Sequence, residues 1–170
     1  MNELVDDYLC ETRNHLINEI TLLSDVQFNS KPDMNSWSIA EVCHHLILVE
    51  DSTIKAITWG LKQVDSTPTE RKKVHLLLDR SKKINAPKIV EPDGNPFETQ
   101  QIIDLLNDSR QKLMTFLSTI EDKSVLAEKS VKHTAFGELP LDQWIEQIYL
   151  HEQRHIEQIK EIKLLLEVSH

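Results

Sequence analysis

The amino-acid sequence predicts an all-α protein, a four-helix bundle. Four segments repeat apolar residues every three or four positions, which is the pattern of amphipathic helices. The chain has only 3 glycines and 6 prolines among 170 residues, and a β-rich fold would need more turn-forming residues. This length suits one domain, so residues 1–170 are treated as a single bundle domain.

The first two helices are predicted in the N-terminal third of the chain. The first covers about Asn2 to Leu23, and turn-forming residues follow in the loop from Ser24 to Trp37. The second begins near Ser38, because Ser38 and Glu41 have the spacing of a capping box. In such a box the serine oxygen caps a backbone N–H of the first turn, and the glutamate reaches back to the serine N–H.

A long connection separates the second and third helices. The helical pattern breaks from about Gln63 to Asn95, apart from a short helix predicted at Val74 to Leu78, and loops of this length are often functional. The third helix is predicted to follow Asn95-Pro96, since asparagine suits the N-cap and proline the first helical position. A loop from about Glu121 to Leu139 leads to the fourth helix, predicted from about Pro140 to Glu167.

Two histidines lie on the core-facing stripe of the fourth helix. His151 and His155 are four residues apart, so their side chains project from one face, one turn apart. Burying an imidazole without a partner costs about 1–3 kcal/mol, and one divalent cation can serve both rings. The other members of the stripe are apolar: Leu141, Trp144, Ile148, Ile159, Ile162 and Leu166.

The second helix offers a third ligand. At about 100° per residue, His45 lies at the edge of the apolar stripe between Val42 and Val49, whereas His44 points away from it. We therefore predict a site of His45, His151 and His155. Three histidines leave open coordination positions, which is typical of catalytic rather than structural metal sites.

Four further residues are candidates to support these ligands. Glu41 could orient His45, but the capping box favours a capping role for it. Arg154 is expected to form a surface or interhelix ion pair rather than to clamp a substrate. His133 is placed in the loop before the fourth helix, near the mouth of the bundle, and His44 beside His45 is expected to be exposed or to contact a ligand residue.

Three other residues were considered for chemistry. Glu152 follows His151 but lies off the apolar stripe, which counts against a catalytic base. Glu50 is predicted to be solvated. Cys43, like Cys10, is interpreted as a small apolar residue in or near the core, and nothing in the sequence indicates a lowered pKa of the Cys43 thiol.

Net charge argues against nucleic-acid binding. The chain carries a net charge of -9 at pH 7, whereas nucleic-acid binders usually present a basic balance or face.

The start of the sequence lacks the features of a signal peptide, and no apolar run has the length of a membrane span, so a cytoplasmic protein is expected. One basic cluster is interpreted mainly as a solvated face, with an anionic small substrate beside it left open: Arg71, Lys72, Lys73, Arg80, Lys82 and Lys83.

Three motifs resemble those of the DinB-like superfamily of bacterial proteins. Residues 37–46, WSIAEVCHHL, are similar to its W-S-x-x-E-x-x-x-H-L segment. Residues 151–159, HEQRHIEQI, resemble its H-x-x-R-H-I-x-Q-I helix. Residues 133–139, HTAFGEL, are similar to a loop H-P-x-x-G-x-L, with threonine in place of proline. The resemblance spans nearly the whole chain.

The resemblance implies a four-helix bundle with an unusual, long crossover, often found as a homodimer. It also implies one divalent metal ion, zinc or nickel, held by the residues that match the motifs, His45, His151 and His155. Some members of the superfamily are thiol S-transferases that use bacillithiol or mycothiol, and some relatives are proposed metal-dependent hydrolases.

Several functions are open at this point. The first is a metal-dependent S-transferase acting on a low-molecular-weight thiol such as bacillithiol, in which the metal lowers the pKa of the thiol. A metal-dependent hydrolase is the second. A non-catalytic bundle or dimerisation module that a metal stabilises is the third, and a hydrogen-bonded histidine patch without metal is the fourth.

Overall fold

Four long helices form the framework that the periodicity predicted. The computed structural model describes residues 3–64 and 66–168. The long helices are α1 (Glu3–Ile20), α3 (Ile39–Lys62), α4 (Thr99–Ser118) and α6 (Leu141–Val168). Helix α1 ends three residues before the predicted boundary, and the predicted start at Asn2 lies outside the described residues. The fold is a four-helix bundle.

Shorter elements fill the connections. Two are short α-helices, α2 (Asp25–Asn29) and α5 (Val125–Glu128), and two are 3-10 helices, at Val74–Leu78 and Lys88–Val90. Strands β1 (Ser130–His133) and β2 (Gly137–Pro140) pair antiparallel, with His133 opposite Gly137. The sequence predicted the helix at Val74–Leu78 but missed α2, α5 and the hairpin.

The apolar stripes of the long helices form two buried clusters along the bundle. One packs α1, α3, α4 and the C-terminal half of α6, around residues such as Leu16, Val42 and Ile159. The other packs the N-terminal half of α6 against α3, α4, α5 and the crossover, around Ile57, Leu113 and Ile148. The histidines of α6 lie between Ile148 and Ile159 in the chain, and so between the two clusters.

The N-termini of α3 and α4 show where local sequence signals predicted a helix start correctly and where they did not. At α3 the predicted capping box is confirmed: Ser38 Oγ accepts the Glu41 N–H, and Glu41 accepts the Ser38 N–H. At α4 the predicted start at Asn95-Pro96 is wrong, because the helix begins at Thr99. The Asp25 carboxylate accepts the Thr99 N–H at 2.8 Å, so a distant side chain satisfies an N-terminal donor that Asn95 was expected to satisfy.

The crossover from α3 to α4 packs over helix α6. Val74 and Leu77 of its first 3-10 helix are buried, which covers part of the core that the four helices leave open. The second 3-10 helix lies against α3 and buries Val90. The long connection is therefore an ordered wall of the bundle.

Gly60 lets helix α3 approach both the hairpin and the start of α6. A Cβ atom at this position would lie 2.7 Å from Val131 Cγ2 and 2.8 Å from Leu141 Cδ2, closer than carbon atoms pack. A larger residue would push α3 away from α6, the two helices that carry the predicted ligands. No helix in residues 3–64 and 66–168 has the length and apolar character needed to cross a membrane.

Candidate metal centre

Three imidazoles meet where α3 faces α6. Nε2 of His151 lies 3.4 Å from Nε2 of His45 and 3.1 Å from Nε2 of His155. One ligand atom from each ring lies within 4.8 Å of the others. The structure therefore brings together the three residues that the stripe argument selected.

Helix geometry explains why these rings converge. His151 and His155 are one turn apart on α6, and their ring centroids are 4.5 Å apart. His45 comes from the facing helix, 5.1 Å from the His151 ring and 5.0 Å from the His155 ring. Two packed helices thus supply all three rings without a contribution from a loop.

Hydrogen bonds to the opposite ring nitrogens orient two of the imidazoles. Nδ1 of His45 lies 2.7 Å from the carbonyl oxygen of Val90, and Nδ1 of His155 lies 2.7 Å from Oε1 of Gln158. A neutral imidazole carries one N–H, so donation from Nδ1 leaves Nε2 with a free lone pair. Both Nε2 atoms are therefore in the form that a metal requires.

Sequence reasoning missed both orienting acceptors. Gln158 is part of the H-x-x-R-H-I-x-Q-I motif, and its position three residues after His155 was the available signal. Val90 offered no signal, since it acts through its backbone carbonyl. Nδ1 of His151 is buried and has no hydrogen-bond partner among the described residues.

The donor set fits a divalent metal ion. Imidazole nitrogens at 2.0–2.1 Å from a tetrahedral ion lie about 3.3 Å from one another. The two Nε2 separations of 3.4 and 3.1 Å bracket that value. His151 completes the same donor set when its proton is on Nδ1, the nitrogen that has no hydrogen-bond partner among the described residues.

Burial keeps these rings neutral. It lowers the pKa of His45, and it lowers the pKa of His155 to about 3. Burial also places the pKa of His151 well below its usual value, and the neighbouring His155 and His45 lower it further. At neutral pH all three rings are thus uncharged, which is the form of histidine that binds a metal.

The three rings line a pocket of about 900 Å³ that opens to solvent. One wall is the crossover segment, including Leu77, Arg80 and residues 83–87. Opposite walls come from the hairpin and from α6, with Trp144 and Gln147. This volume is within the range of small-molecule sites. A metal on these histidines would therefore face a space that can hold a substrate.

Two of the four supporting candidates have other roles. Glu41 completes the capping box and pairs with Lys31 at 2.7 Å, which confirms its capping function. His44 stacks edge-on against Phe97 and lies 3.5 Å from an Asp93 carboxylate oxygen. His44 is therefore occupied away from the three rings.

Arg154 has a role that the sequence did not predict. It was expected to form an ion pair, but it is buried and donates to the carbonyl oxygens of Leu77, Asp79 and Lys82 at 2.6–2.8 Å. The expected ion pair is therefore wrong. Arg154 fixes the crossover wall to the helix that carries His151 and His155.

His133 lies in the lining of the pocket, as its position near the bundle mouth suggested. Its ring packs against Trp144 at 4.7 Å and Phe136 at 5.2 Å. Nδ1 accepts the Ala135 N–H at 3.1 Å, so the proton of the neutral ring is on Nε2. Burial lowers the pKa of His133 to about 4, and the ring is a neutral hydrogen-bond donor at neutral pH.

A buried ionic network lies directly beneath the histidines. Glu152 and Glu50, each at most 2% exposed, pair with Arg13 and Arg110. The prediction that Glu50 is solvated is wrong, because α1 and α4 each supply an arginine to receive it. Burial opposes the ionisation of Glu152, but Arg13 and Arg110 outweigh it and lower its pKa. Neither carboxylate is free to act as a base in the pocket.

The two cysteines differ in their surroundings. Cys43 is buried as predicted, and burial raises the pKa of its thiol far above the usual value, while Cys10 is exposed. Cys43 is therefore a packing residue rather than a nucleophile.

Comparison with known proteins places the chain in a family. The sequence model of the DinB superfamily matches residues 8–159, which include all three histidines. The chain belongs to the DinB superfamily. It is 32% identical to YuaE of Bacillus subtilis strain 168, itself uncharacterised, over 157 residues, 92% of this chain and 96% of YuaE.

Two solved structures share the four-helix bundle fold of this chain. TT2238, a four-helix bundle protein, has a TM-score of 0.61 at 16% identity, covering 94% of this chain and 98% of its own. YfiT from Bacillus subtilis has a TM-score of 0.65 at 17% identity, covering 95% of this chain and 87% of its own. YfiT is described as a probable metal-dependent hydrolase with an unusual four-helix bundle topology. At these identities the likeness concerns the fold.

Proposed function

We propose that this DinB protein is a metal-dependent enzyme that activates a small nucleophile for attack on a substrate held in the pocket. The observation that carries the proposal is the convergence of the Nε2 atoms of three neutral imidazoles in the lining of a pocket of about 900 Å³. His45, His151 and His155 would hold one divalent ion, with zinc or nickel the expected metals. When bound, such an ion supplies Lewis acidity, which lowers the pKa of a coordinated thiol or water.

The other residues of the site would orient the ligand histidines, bind the substrate and donate a hydrogen bond to it. Val90 and Gln158 hold the ligand rings through Nδ1, which keeps their Nε2 atoms aimed at one point. Trp37 and Trp144 give the pocket aromatic surface for the apolar part of a substrate. His133 Nε2–H is a donor for an oxygen atom on which negative charge develops.

Transfer to a low-molecular-weight thiol, such as bacillithiol, is the first candidate reaction. Glu50 and Glu152, the carboxylates nearest His151 in the core, are locked in ion pairs. A thiol needs less help than water to lose its proton, since its free pKa is about 8.5 and that of water is 15.7. A site without a free buried carboxylate therefore suits a thiol nucleophile.

Hydrolysis is the second candidate, and two observations favour it. YfiT, which shares the fold, is described as a probable metal-dependent hydrolase. The pocket lining also contains one carboxylate, Glu91, which is exposed and follows the Val90 carbonyl that holds His45. A water nucleophile would make Glu91 the candidate base.

Turnover assays on matched metal-free and metal-loaded protein test the proposal. Bacillithiol with a haloaromatic acceptor reports thiol transfer, and chromogenic esters and amides report hydrolysis. We expect zinc- or nickel-dependent turnover in one assay, at least about 100-fold lower in His155→Ala and retained in His44→Ala. A protein that binds metal but turns over in neither assay would contradict the enzyme and favour a metal-stabilised module.

Two sequence-based expectations stay predictions. The superfamily resemblance implies a homodimer, which light scattering on the purified protein measures. The sequence also leads us to expect a cytoplasmic location, which fractionation of the host cell measures.

A further inference from the structure

The pocket has a charge opposite to that of the chain as a whole. Four basic side chains line it, Arg80, Lys83, Lys132 and Arg154, against one acidic side chain, Glu91. The whole chain carries -9 at pH 7.

These basic residues come from three separate elements. Arg80 and Lys83 belong to the crossover, Lys132 to strand β1 and Arg154 to α6. They are far apart in sequence, and the basic run of the crossover gave no indication of Lys132 or Arg154. The fold, rather than a local charge run, therefore gathers positive charge around this pocket.

Much of this charge is not neutralised by the protein. Lys83 and Lys132 are exposed and form no ion pair within the described part of the chain. Arg154 donates to backbone carbonyls and forms no ion pair within the described residues. Arg80 pairs with Glu161, but its Nε is buried and lacks a partner among the described residues.

Another basic residue of the crossover provides a contrast. Arg71 lies outside the pocket and pairs with both Asp142 and Glu146. The cluster that the sequence presented as one solvated face is therefore divided in two. Arg71 is neutralised by α6, whereas Arg80 and Lys83 line the pocket.

We propose that the pocket recognises a small molecule bearing a carboxylate or phosphate group, held by Lys83 and Lys132 at the rim while its reacting part lies beside the three histidines. The proposal rests on the proposed function for the claim that the pocket is a substrate site. A cleft lined by one sign of charge between low-dielectric walls raises the local concentration of the opposite ion. Arg154 adds a fixed positive charge from the wall behind, which attracts an anion and does not attract a neutral substrate.

Binding to metal-free protein tests the charge of the walls apart from the metal. The probes are succinate, inorganic phosphate and succinamide, the neutral analogue of succinate, measured by calorimetry and by the fluorescence of Trp37 and Trp144. The variant is Lys83→Gln with Lys132→Gln. Its matched control is Lys73→Gln with Lys112→Gln, two exposed lysines outside the pocket lining.

We expect an anion to bind tighter than succinamide, and the preferred anion tells carboxylate from phosphate recognition. Each solvent-exposed lysine should strengthen anion binding about threefold, so the Kd of the double variant for the anion should rise ~10-fold. Added salt should weaken anion binding further. The control should change binding by less than about twofold. Equal binding of succinate, phosphate and succinamide, or equal Kd values in the variant and its control, would overturn the proposal.

These outcomes are separable from those of the turnover assays. Anion preference in the metal-free protein without any metal-dependent turnover leaves the charged pocket standing and removes the proposed enzyme. Metal-dependent turnover without anion preference removes the charged-substrate proposal alone.

Discussion

The Nδ1 atom of His45 lies 2.7 Å from the carbonyl oxygen of Val90. The ligand that α3 supplies is thus held by a short 3-10 helix of the crossover segment rather than by another long helix. Since the same segment forms a wall of the pocket, the orientation of His45 and the shape of the pocket are linked through one hydrogen bond.

Metal should stabilise the folded protein through the three histidines. A ligand present at 100 times its Kd adds about 2.7 kcal/mol, which raises the melting temperature by roughly 5–10 °C for a domain of this size. Chelator-treated protein should lose this increment, and His155→Ala should show none. His44→Ala should behave as the unmodified protein, since His44 contacts Phe97 and Asp93 instead. Equal shifts in His155→Ala and His44→Ala would refute the site.

Gln158 should tune metal affinity without supporting the fold. Replacing it with leucine removes the acceptor of the His155 Nδ1 proton, so the ring can turn or change tautomer. Loss of such a partner weakens metal binding by about 10–100-fold. Competition with a chromogenic chelator measures the change. Gln153→Leu, at an exposed position of the same helix, is the control and should keep its affinity. An unchanged Kd in Gln158→Leu would show that the bond does not hold the ring.

The buried network should depend on its charge balance. Glu152→Gln leaves Arg13 and Arg110 with Glu50 alone, and breaking a buried ion pair costs about 3–5 kcal/mol. Urea denaturation of metal-free protein should show a loss of that order. Glu157→Gln removes an exposed pair with Lys160 and should change the free energy of unfolding by less than about 1 kcal/mol. Similar losses in the two variants would mean that the network contributes no more than a surface pair.

Stability of the metal-free protein should fall as the pH drops below 6.5. In the unfolded chain histidine protonates near pH 6.5, whereas the folded pKa is about 4 for His133 and about 3 for His155. Between these values the unfolded chain binds more protons, so the free energy of unfolding decreases as pH falls. The full stability is present above pH 6.5.

Melting curves from pH 7.5 to 4.5 measure this dependence. His133→Asn should show a shallower decline, because it removes one of the titrating groups while Oδ1 can still accept the Ala135 N–H. His75→Asn, at an exposed position of the crossover, is the control. Identical pH profiles for His133→Asn and the unmodified protein would remove His133 as a source of the effect.

The sequence predicted what depends on periodicity and local spacing. The four long helices, the capping box at Ser38 and the alignment of His151 with His155 all follow from residues within one or two turns of each other. His45 could be chosen over His44 because a rotation of 100° per residue separates a core-facing position from its neighbour. Local patterns of this kind survive folding because tertiary packing uses the same faces.

What the sequence did not predict depends on contacts between distant residues. The predicted start of α4 was wrong because the Asp25 carboxylate accepts the Thr99 N–H, and Asp25 lies in a short helix with a weak sequence signal. Glu50 looked like a surface residue because its arginine partners lie on α1 and α4. The backbone carbonyl of Val90 has no side-chain signature at all. The hairpin was missed because its two strands have four residues each, too short for a clear alternating pattern.

Arg154 anchors the crossover by donating hydrogen bonds to the backbone carbonyl oxygens of Leu77, Asp79 and Lys82. A carbonyl is present whatever side chain its residue carries, so these three attachments place little demand on the amino acids between them. The side chains of the wall can therefore be exchanged through evolution while the wall keeps its place beside the histidines. An arrangement of this kind lets one bundle acquire new specificities by drift in a tethered loop, with the reactive centre left intact.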